Sequence, residues 1–321
     1  MREKTNPLVT IAIPTYNRAD TYLPQALRSA LSQTYSPLEI IVSDNCSKDN
    51  TEQIVKEFSD SRIRYIKHKE NIGALGNSNF CLEQANGDYF LLFHDDDLID
   101  NDHIEVCLKA ANYDTTAGLI RTGIRWIDRD GNVVYTRENL GSGLSTEEFF
   151  IAWFEGKVPM HLCGTLFNRR YLQEIGGFNG EYSAFNDVAA EVELAARFGR
   201  VEVKEIKASF RRHSSSHSTS FEIARWCEVS VKLLNFMCNL APGKERYVRK
   251  KGRVFFADHN YKLAKKLENP LARISSYITV YRTFGYPVQL FFLKIPILRR
   301  IGRIPNRIRR VFVGVTNPNA D

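Results

Sequence analysis

Gly87-Asp88-Tyr89-Phe90-Leu91-Leu92-Phe93-His94-Asp95-Asp96-Asp97 is the stretch that decides the fold. A turn residue leads into an apolar, aromatic run that stops at three adjacent carboxylates. The run is short, bounded by Gly87 and rich in Tyr and Phe, so it reads as a buried strand. Neighbouring acids repel one another and lose water at the rim of a sheet. A hard divalent ion such as Mg²⁺ or Mn²⁺ removes that penalty, because it prefers carboxylate oxygen. Ligands of open α/β sheets bind outside the carboxyl ends of the strands. A metal–phosphate site is therefore expected here, ahead of a merely solvated acidic loop.

Outward from this strand the pattern alternates. Leu8 to Ile13 is a β-branched run expected to end at Pro14, which lacks the N–H of a central strand. Helical spacing follows from Tyr22 to Gln33, with Asp20 or Thr21 as the expected cap. Leu38 to Val42 and Ile63 to Ile66 read as strands, and Thr51 to Phe58 and Leu75 to Ala85 as helices. Strand and helix signals in turn over the first 100 residues predict an α/β fold with a mostly parallel, doubly wound sheet. After His103 the rhythm changes: Leu119 to Ile127, a turn over Asp128 to Asn132, and Val133 to Tyr135 form a hairpin signal. Helices are expected at Thr146 to Phe154, Arg169 to Ile175, Val188 to Phe198 and throughout residues 221–285.

The chain has 321 residues, enough to bury a full core with an appendage. Its 43% hydrophobic and 25% charged residues fit an ordinary globular protein. The first seven residues lack the apolar core of a signal peptide, and no apolar run approaches the roughly 20 residues of a membrane span. Six scattered cysteines without paired spacing fit reduced thiols of a cytoplasmic protein. The net charge of +7 is concentrated at the end: Asn269 to Ala320 holds nine Lys or Arg and no acid, leaving the rest slightly acidic.

In a parallel sheet three strand ends point one way and present Pro14 to Arg18, Asp44 and the Asp95 to Asp97 cluster. Together they can clasp a nucleotide, with Asp44 accepting from base or ribose and Tyr16 packing on the base. Six blocks in order then match a known family: Pro14-Thr15-Tyr16-Asn17-Arg18, Ser32-Gln33-Thr34-Tyr35, Ile41 to Thr51, Asn71-Ile72-Gly73, Gly87-Asp88-Tyr89 and Asp95 to Asp97. Over roughly residues 7–220 the chain resembles the family 2 glycosyltransferases of the GT-A fold.

The resemblance implies inverting transfer of a sugar from a nucleotide-diphosphate sugar to a hydroxyl of a glycan or lipid-linked glycan. Family frequency favours a UDP-sugar. Pro14, Tyr16 and Asp44 would contact the nucleoside, with Arg18, Asn71, Asp95 and Arg212 completing the donor site. Mn²⁺ or Mg²⁺ would be held by Asp96, Asp97 and His213. His94 stands where the family has the first acid of Asp-x-Asp, which leaves open how Asp95 and Asp96 share the ion. Gly176-Gly177-Phe178 followed by Asn186-Asp187 resembles the family's Gly-Gly-Phe segment and Glu-Asp pair. Asp187 is then the expected general base, against a plain helix cap, with Glu191 as the rival. Arg211 to Ser218 resembles the Arg-x-His segment that closes over the diphosphate; a zinc pair from His213 and His217 lacks a third ligand. Trp126, Trp153, His161 and Trp226 are candidates for stacking on sugar.

The expected domains are residues 1–220, with a nucleotide-binding half (1–100) and an acceptor half (101–220), and a helical C-terminal region, 221–321. In its basic tail, Ile297, Ile301, Ile304, Ile308 and Val311 run beside Arg300, Arg303, Arg307 and Arg310. That pattern suits an anionic membrane surface on the cytoplasmic side or an oligomer contact, and no nucleic-acid module accompanies it. Three rival functions remain. A sugar-phosphate nucleotidyltransferase would want glycines where Pro14 to Arg18 stands, and a metal-dependent phosphatase a nucleophilic Asp there. A catalytically inactive binder of nucleotide-sugar or glycan is the third.

Overall fold

The computed structural model describes residues 6–212 and 222–287. The chain divides into two compact units, Met1–Ser216 and His217–Asp321. His213, His217 and the basic stretch 297–311 lie outside the described residues.

The first unit is built on one nine-stranded sheet. Strands β1 (Val9–Thr15), β2 (Leu38–Asp44), β3 (Ile63–Lys67) and β4 (Tyr89–Leu92) lie in the order β3-β2-β1-β4 and are parallel. Beyond β4 the sheet is mixed. Strand β8 (Thr165–Asn168) runs antiparallel between β4 and β6 (Leu119–Ile127), and β9 (Arg200–Arg211) runs parallel to β6. The two-residue β5 (Leu98–Ile99) closes the order against β9, and β7 (Val133–Arg137) forms the expected hairpin with β6.

Both faces of the parallel half are covered, which explains its nearly continuous apolar strands. Val9, Ile11 and Ile13 join one core with Leu23 and Leu27 of α1 (Leu23–Leu31) and Ile104 and Leu108 of α4 (His103–Ala110). Helix α3 (Gly73–Gln84) packs on β1 and β2, and its buried Asn77 donates to the Ser43 carbonyl at 2.9 Å. Helix α2 (Thr51–Glu57) precedes β3; α5 (Thr146–Phe154), α6 (Arg169–Glu174) and α7 (Asn186–Phe198) follow the hairpin.

Two local expectations are corrected. Pro14 does not end β1: it pairs with Ser43 inside the ladder. The Thr15 carbonyl accepts from Asn45 on the β2 side, so the missing N–H of Pro14 falls on the β4 side. There the ladder has already ended at Ala12 and Leu92, and no bond is lost. Neither Asp20 nor Thr21 caps α1. Tyr22 occupies the cap position without a side-chain bond, and Pro24 sets the first turn, where its absent N–H is harmless.

Gly87 is required by close approach. A Cβ there would meet the Thr10 backbone nitrogen at 2.6 Å and the Tyr89 carbonyl at 2.7 Å. Backbone cannot swing aside, so Gly87→Ala is expected to cost about 1–3 kcal/mol, the usual penalty of overpacking. The check is the urea midpoint of the full chain; an unshifted midpoint would show that β1 and β4 can part without cost.

The second unit packs three helices on one another: α8 (Ile223–Asn239), α9 (Glu245–Lys265) and α10 (Pro270–Phe284). Buried Asn260 bridges α9 to α8 by donating to the Ser230 hydroxyl at 3.0 Å. Among the described residues no helix is long and apolar enough to cross a membrane. None of the six cysteines is paired in a disulfide.

Candidate active site at the strand ends

The carboxyl ends of β1, β2 and β4 meet as the parallel order requires. Thr15, the last residue of β1, donates from Oγ1 to Asp95 Oδ2 at 2.6 Å, tying β1 to the acidic loop. The loops after β1 and β2 are stitched together: Asn17 N donates to Ser47 Oγ, and Lys48 N to Asn17 Oδ1, both at 2.9 Å. Asn45 Nδ2 donates to Asn71 Oδ1 at 2.9 Å, which brings in the loop after β3. Tyr16 is 42% exposed, so its ring is available to a ligand. Asp44 is placed differently: it is fully buried, accepting from Ser47 N at 2.8 Å and from the Tyr65 hydroxyl at 2.5 Å. It shapes the loop from beneath, with both oxygens already engaged.

The three acids after β4 do not act as one group. Asp95 is turned inward to Thr15, and burial pushes its carboxyl up to about 6 against that hydrogen bond. Asp97 is almost wholly buried and is pushed up to about 7, first by burial and then by the charge of Asp96. The ligand atoms of His94, Asp96 and Asp97 lie within 4.8 Å of one another. His94, standing where the first acid was expected, is thus part of the cluster, and Asp95 is outside it.

Arg211, at the end of β9, fixes this loop. Its backbone N–H donates to Asp97 Oδ1 at 2.9 Å and its Nε to the Asp96 carbonyl at 2.8 Å. The rest of the fork reaches the Asp128 and Arg129 carbonyls, each at 3.2 Å, and Gln25 Oε1 at 3.0 Å. The guanidinium also lies 4.5 Å from the Tyr22 ring centroid. Strand alternation turns Arg211 inward, where it holds the loop, and leaves Arg212, the expected donor residue, exposed. Cys163 was also missed. Its thiol meets Asp97, and burial together with that carboxylate raises it far above the thiol range. A two-residue period marks one member of an Arg-Arg pair as buried without saying which, and a lone Cys carries no such signal.

Asp187 lies in the first turn of α7 but is not its cap, a position held by Phe185. Burial raises its carboxyl, opposed by the Val188 N–H at 2.8 Å and by the charge of His94. The preceding segment is clamped by Asn79 of α3, whose Nδ2 donates to the Phe178 carbonyl at 3.0 Å and whose Oδ1 accepts from Phe178 N at 2.9 Å. Gly177 has φ +76°, and a Cβ there would lie 2.7 Å from Asn79 Oδ1. The rival Glu191 is fully buried and bound to Arg121 at 2.8 Å, which withholds it from an acceptor. Trp126 and His161 come together, whereas Trp153 sits on α5 and Trp226 is buried within the second unit.

The sequence profile of "Glycosyl transferase family 2" matches residues 10–176. Chondroitin synthase of Escherichia coli is 34% identical over 156 residues, 46% of this chain and 22% of that protein. The GalNAc(5)-diNAcBac-PP-undecaprenol beta-1,3-glucosyltransferase of Campylobacter jejuni is 31% identical over 182 residues, 53% of this chain and 57% of that one. The chain therefore spans less than two thirds of either relative. Among solved structures, S. aureus TarS 1-349 in complex with UDP-GlcNAc aligns with a TM-score of 0.64 at 16% identity, covering 95% of this chain and 83% of that 1-349 chain. The mannosyltransferase PcManGT from Pyrobaculum calidifontis, in complex with GDP-Man and Mn²⁺, gives 0.54 at 18% identity, with 88% and 83% covered. With more than half its length matched by the profile, the chain belongs to glycosyl transferase family 2 and has the GT-A fold.

Proposed function

We infer that the protein transfers a sugar, with inversion, from a nucleoside-diphosphate sugar to a hydroxyl of a glycan acceptor. One observation carries the reading: His94, Asp96 and Asp97 gather their ligand atoms within 4.8 Å of one another at the carboxyl end of β4. The donor residues proposed are Pro14, Tyr16, Arg18, Asn71, Asp95 and Arg212, with Asp44 buried beneath them.

The cluster fits a divalent cation. Two carboxylates and an imidazole suit Mn²⁺ better than Mg²⁺, which strongly prefers oxygen. Burial that raises Asp97 is the penalty a cation would relieve. When bound, such an ion supplies Lewis-acid neutralisation of the diphosphate leaving group. Thr15 orients Asp95 and Arg211 holds the Asp96–Asp97 backbone in place. Asp187 takes the proton of the acceptor hydroxyl on the side opposite the leaving group.

Donor names of similar proteins support this without choosing the base: UDP-GlcNAc is bound by TarS and GDP-Man by PcManGT. The test is calorimetric titration with UDP, dTDP, CDP and GDP, each with and without Mn²⁺. One diphosphate is expected to bind tightly, and only with metal. Binding of none of them, or binding indifferent to Mn²⁺, removes the donor site from the acidic loop.

A further inference from the structure

On the β6–β7 hairpin, Trp126 and Tyr135 set their rings 5.0 Å apart, and His161 meets Trp126 edge-on at 5.3 Å and Phe210 at 4.7 Å. Tyr135 is 50% exposed, so this aromatic bed opens to solvent. Over it lies Arg137, its Cζ 5.2 Å from the Trp126 centroid and 5.3 Å from that of Tyr135. Its Nη2 donates to the Tyr135 hydroxyl at 3.2 Å, while its Nε is buried without a hydrogen bond. Among the described residues no carboxylate pairs with it, although most other buried or half-buried guanidiniums of this unit have one, as Arg121, Arg125 and Arg200 do. The imidazole below adds no negative charge. It is held neutral, pushed down to about 3 by burial and by the guanidiniums of Arg137, Arg121 and Arg212.

The bed adjoins the acidic loop. Trp126 is in register with Phe210, the neighbour of Arg211. Two residues after His161, Cys163 meets Asp97. Aromatic faces stack on the C–H faces of sugar rings, and an unneutralised guanidinium recognises carboxylate or phosphate through its fork. A neutral glycan would leave that cation, already stripped of water at Nε, without a counter-charge.

We propose that Trp126, Tyr135 and Arg137 form a subsite for a sugar ring bearing an anionic group, carboxylate or phosphate. Calling that sugar the acceptor rests on the transfer reading above; the binding itself does not. The test is ligand-detected NMR titration of the full chain with methyl β-glucuronide, methyl β-glucoside 6-phosphate and methyl β-glucoside. Both anionic glycosides are expected to bind about tenfold or more tightly than the neutral one, in line with a charge-assisted hydrogen bond. The tighter of the two tells carboxylate from phosphate. Arg137→Gln should abolish the anionic advantage and leave the neutral glycoside unchanged, and Tyr135→Ala should weaken all three. Equal binding of the three by the parent chain, or an anionic advantage that survives Arg137→Gln, overturns the proposal. Should Arg137→Gln fail to fold, the exposed Tyr135→Ala carries the test: unweakened binding of all three glycosides in that variant is equally fatal. Titrating the same samples with nucleoside diphosphate and Mn²⁺ separates the two readings, because loss of donor binding with the anionic preference intact removes the transfer reading alone.

Discussion

Asp187→Asn is expected to leave nucleoside-diphosphate binding within a few-fold of the parent chain while sugar transfer falls by about a hundred- to ten-thousandfold, the usual contribution of a positioned base. The amide keeps the shape of the first turn of α7 and its contact with the Val188 N–H, but it cannot accept a proton from the acceptor. Burial holds the Asp187 carboxyl above its ordinary value. Its protonated form is inert as a base, so kcat/KM should rise with pH through that pKa. The acid limb should therefore lie above about 4, the range of a solvated Asp. Initial rates from pH 4 to 9 measure it. An unchanged rate in the variant, or a limb at the ordinary carboxylate position, takes the proton away from Asp187.

Arg121→Met is expected to cost about 3–5 kcal/mol of stability, the penalty of stranding buried charge. Arg121 is 1% exposed between Glu191 at 2.8 Å and Glu202 at 3.3 Å, both almost fully buried. The two observations on Glu191 pull in opposite directions. A short contact to a guanidinium should lower its carboxyl, yet burial prevails and pushes it up to about 7. A carboxyl raised on folding stabilises the native state below its unfolded value, and that contribution is lost as pH climbs through the folded one. Removing Arg121 raises Glu191 further. The loss should thus be larger at pH 8 than at pH 5, where Glu191 takes up a proton and escapes most of the penalty. Urea unfolding at the two pH values tests this; a loss below about 1 kcal/mol at pH 8 would mean that water reaches the pair.

The parallel half of the fold was legible because its strands are buried on both faces and need no context to be read as apolar runs. The hairpin was legible from Asp128 to Asn132, where Asp128 Oδ1 accepts from Asp130 N and Asn132 N at 2.9 Å. What escaped was set by partners distant in sequence. β5 has two residues and exists only because β9 pairs with it. β9 alternates Val201, Val203 and Ile206 with Glu202, Lys204 and Glu205, and a bulged register against β6 obscures its period. In the site, the acidic loop was legible from its run of adjacent carboxylates at a strand end. The inward turn of Asp95, the burial of Asp44 and the grip of Arg211 on the acidic loop depend on packing that no local pattern encodes.

The long reach of Arg211 also fixes when the site can exist. The acidic loop is complete in the chain by Asp97, but its clasp lies 114 residues later, and the bond from that clasp to Gln25 spans 186. Loops of that size close late, after local helices and neighbouring parallel strands have formed. On a ribosome making protein from the N-terminus, the parallel half would emerge with its carboxylates unclasped until β9 is released. The profile match, which stops at residue 176, ends before β9 begins at Arg200. A fragment cut at that boundary would keep every acid of the cluster and lose both Asp187 and the strand that arranges them. Closure of the acidic loop is thus coupled to completion of the domain.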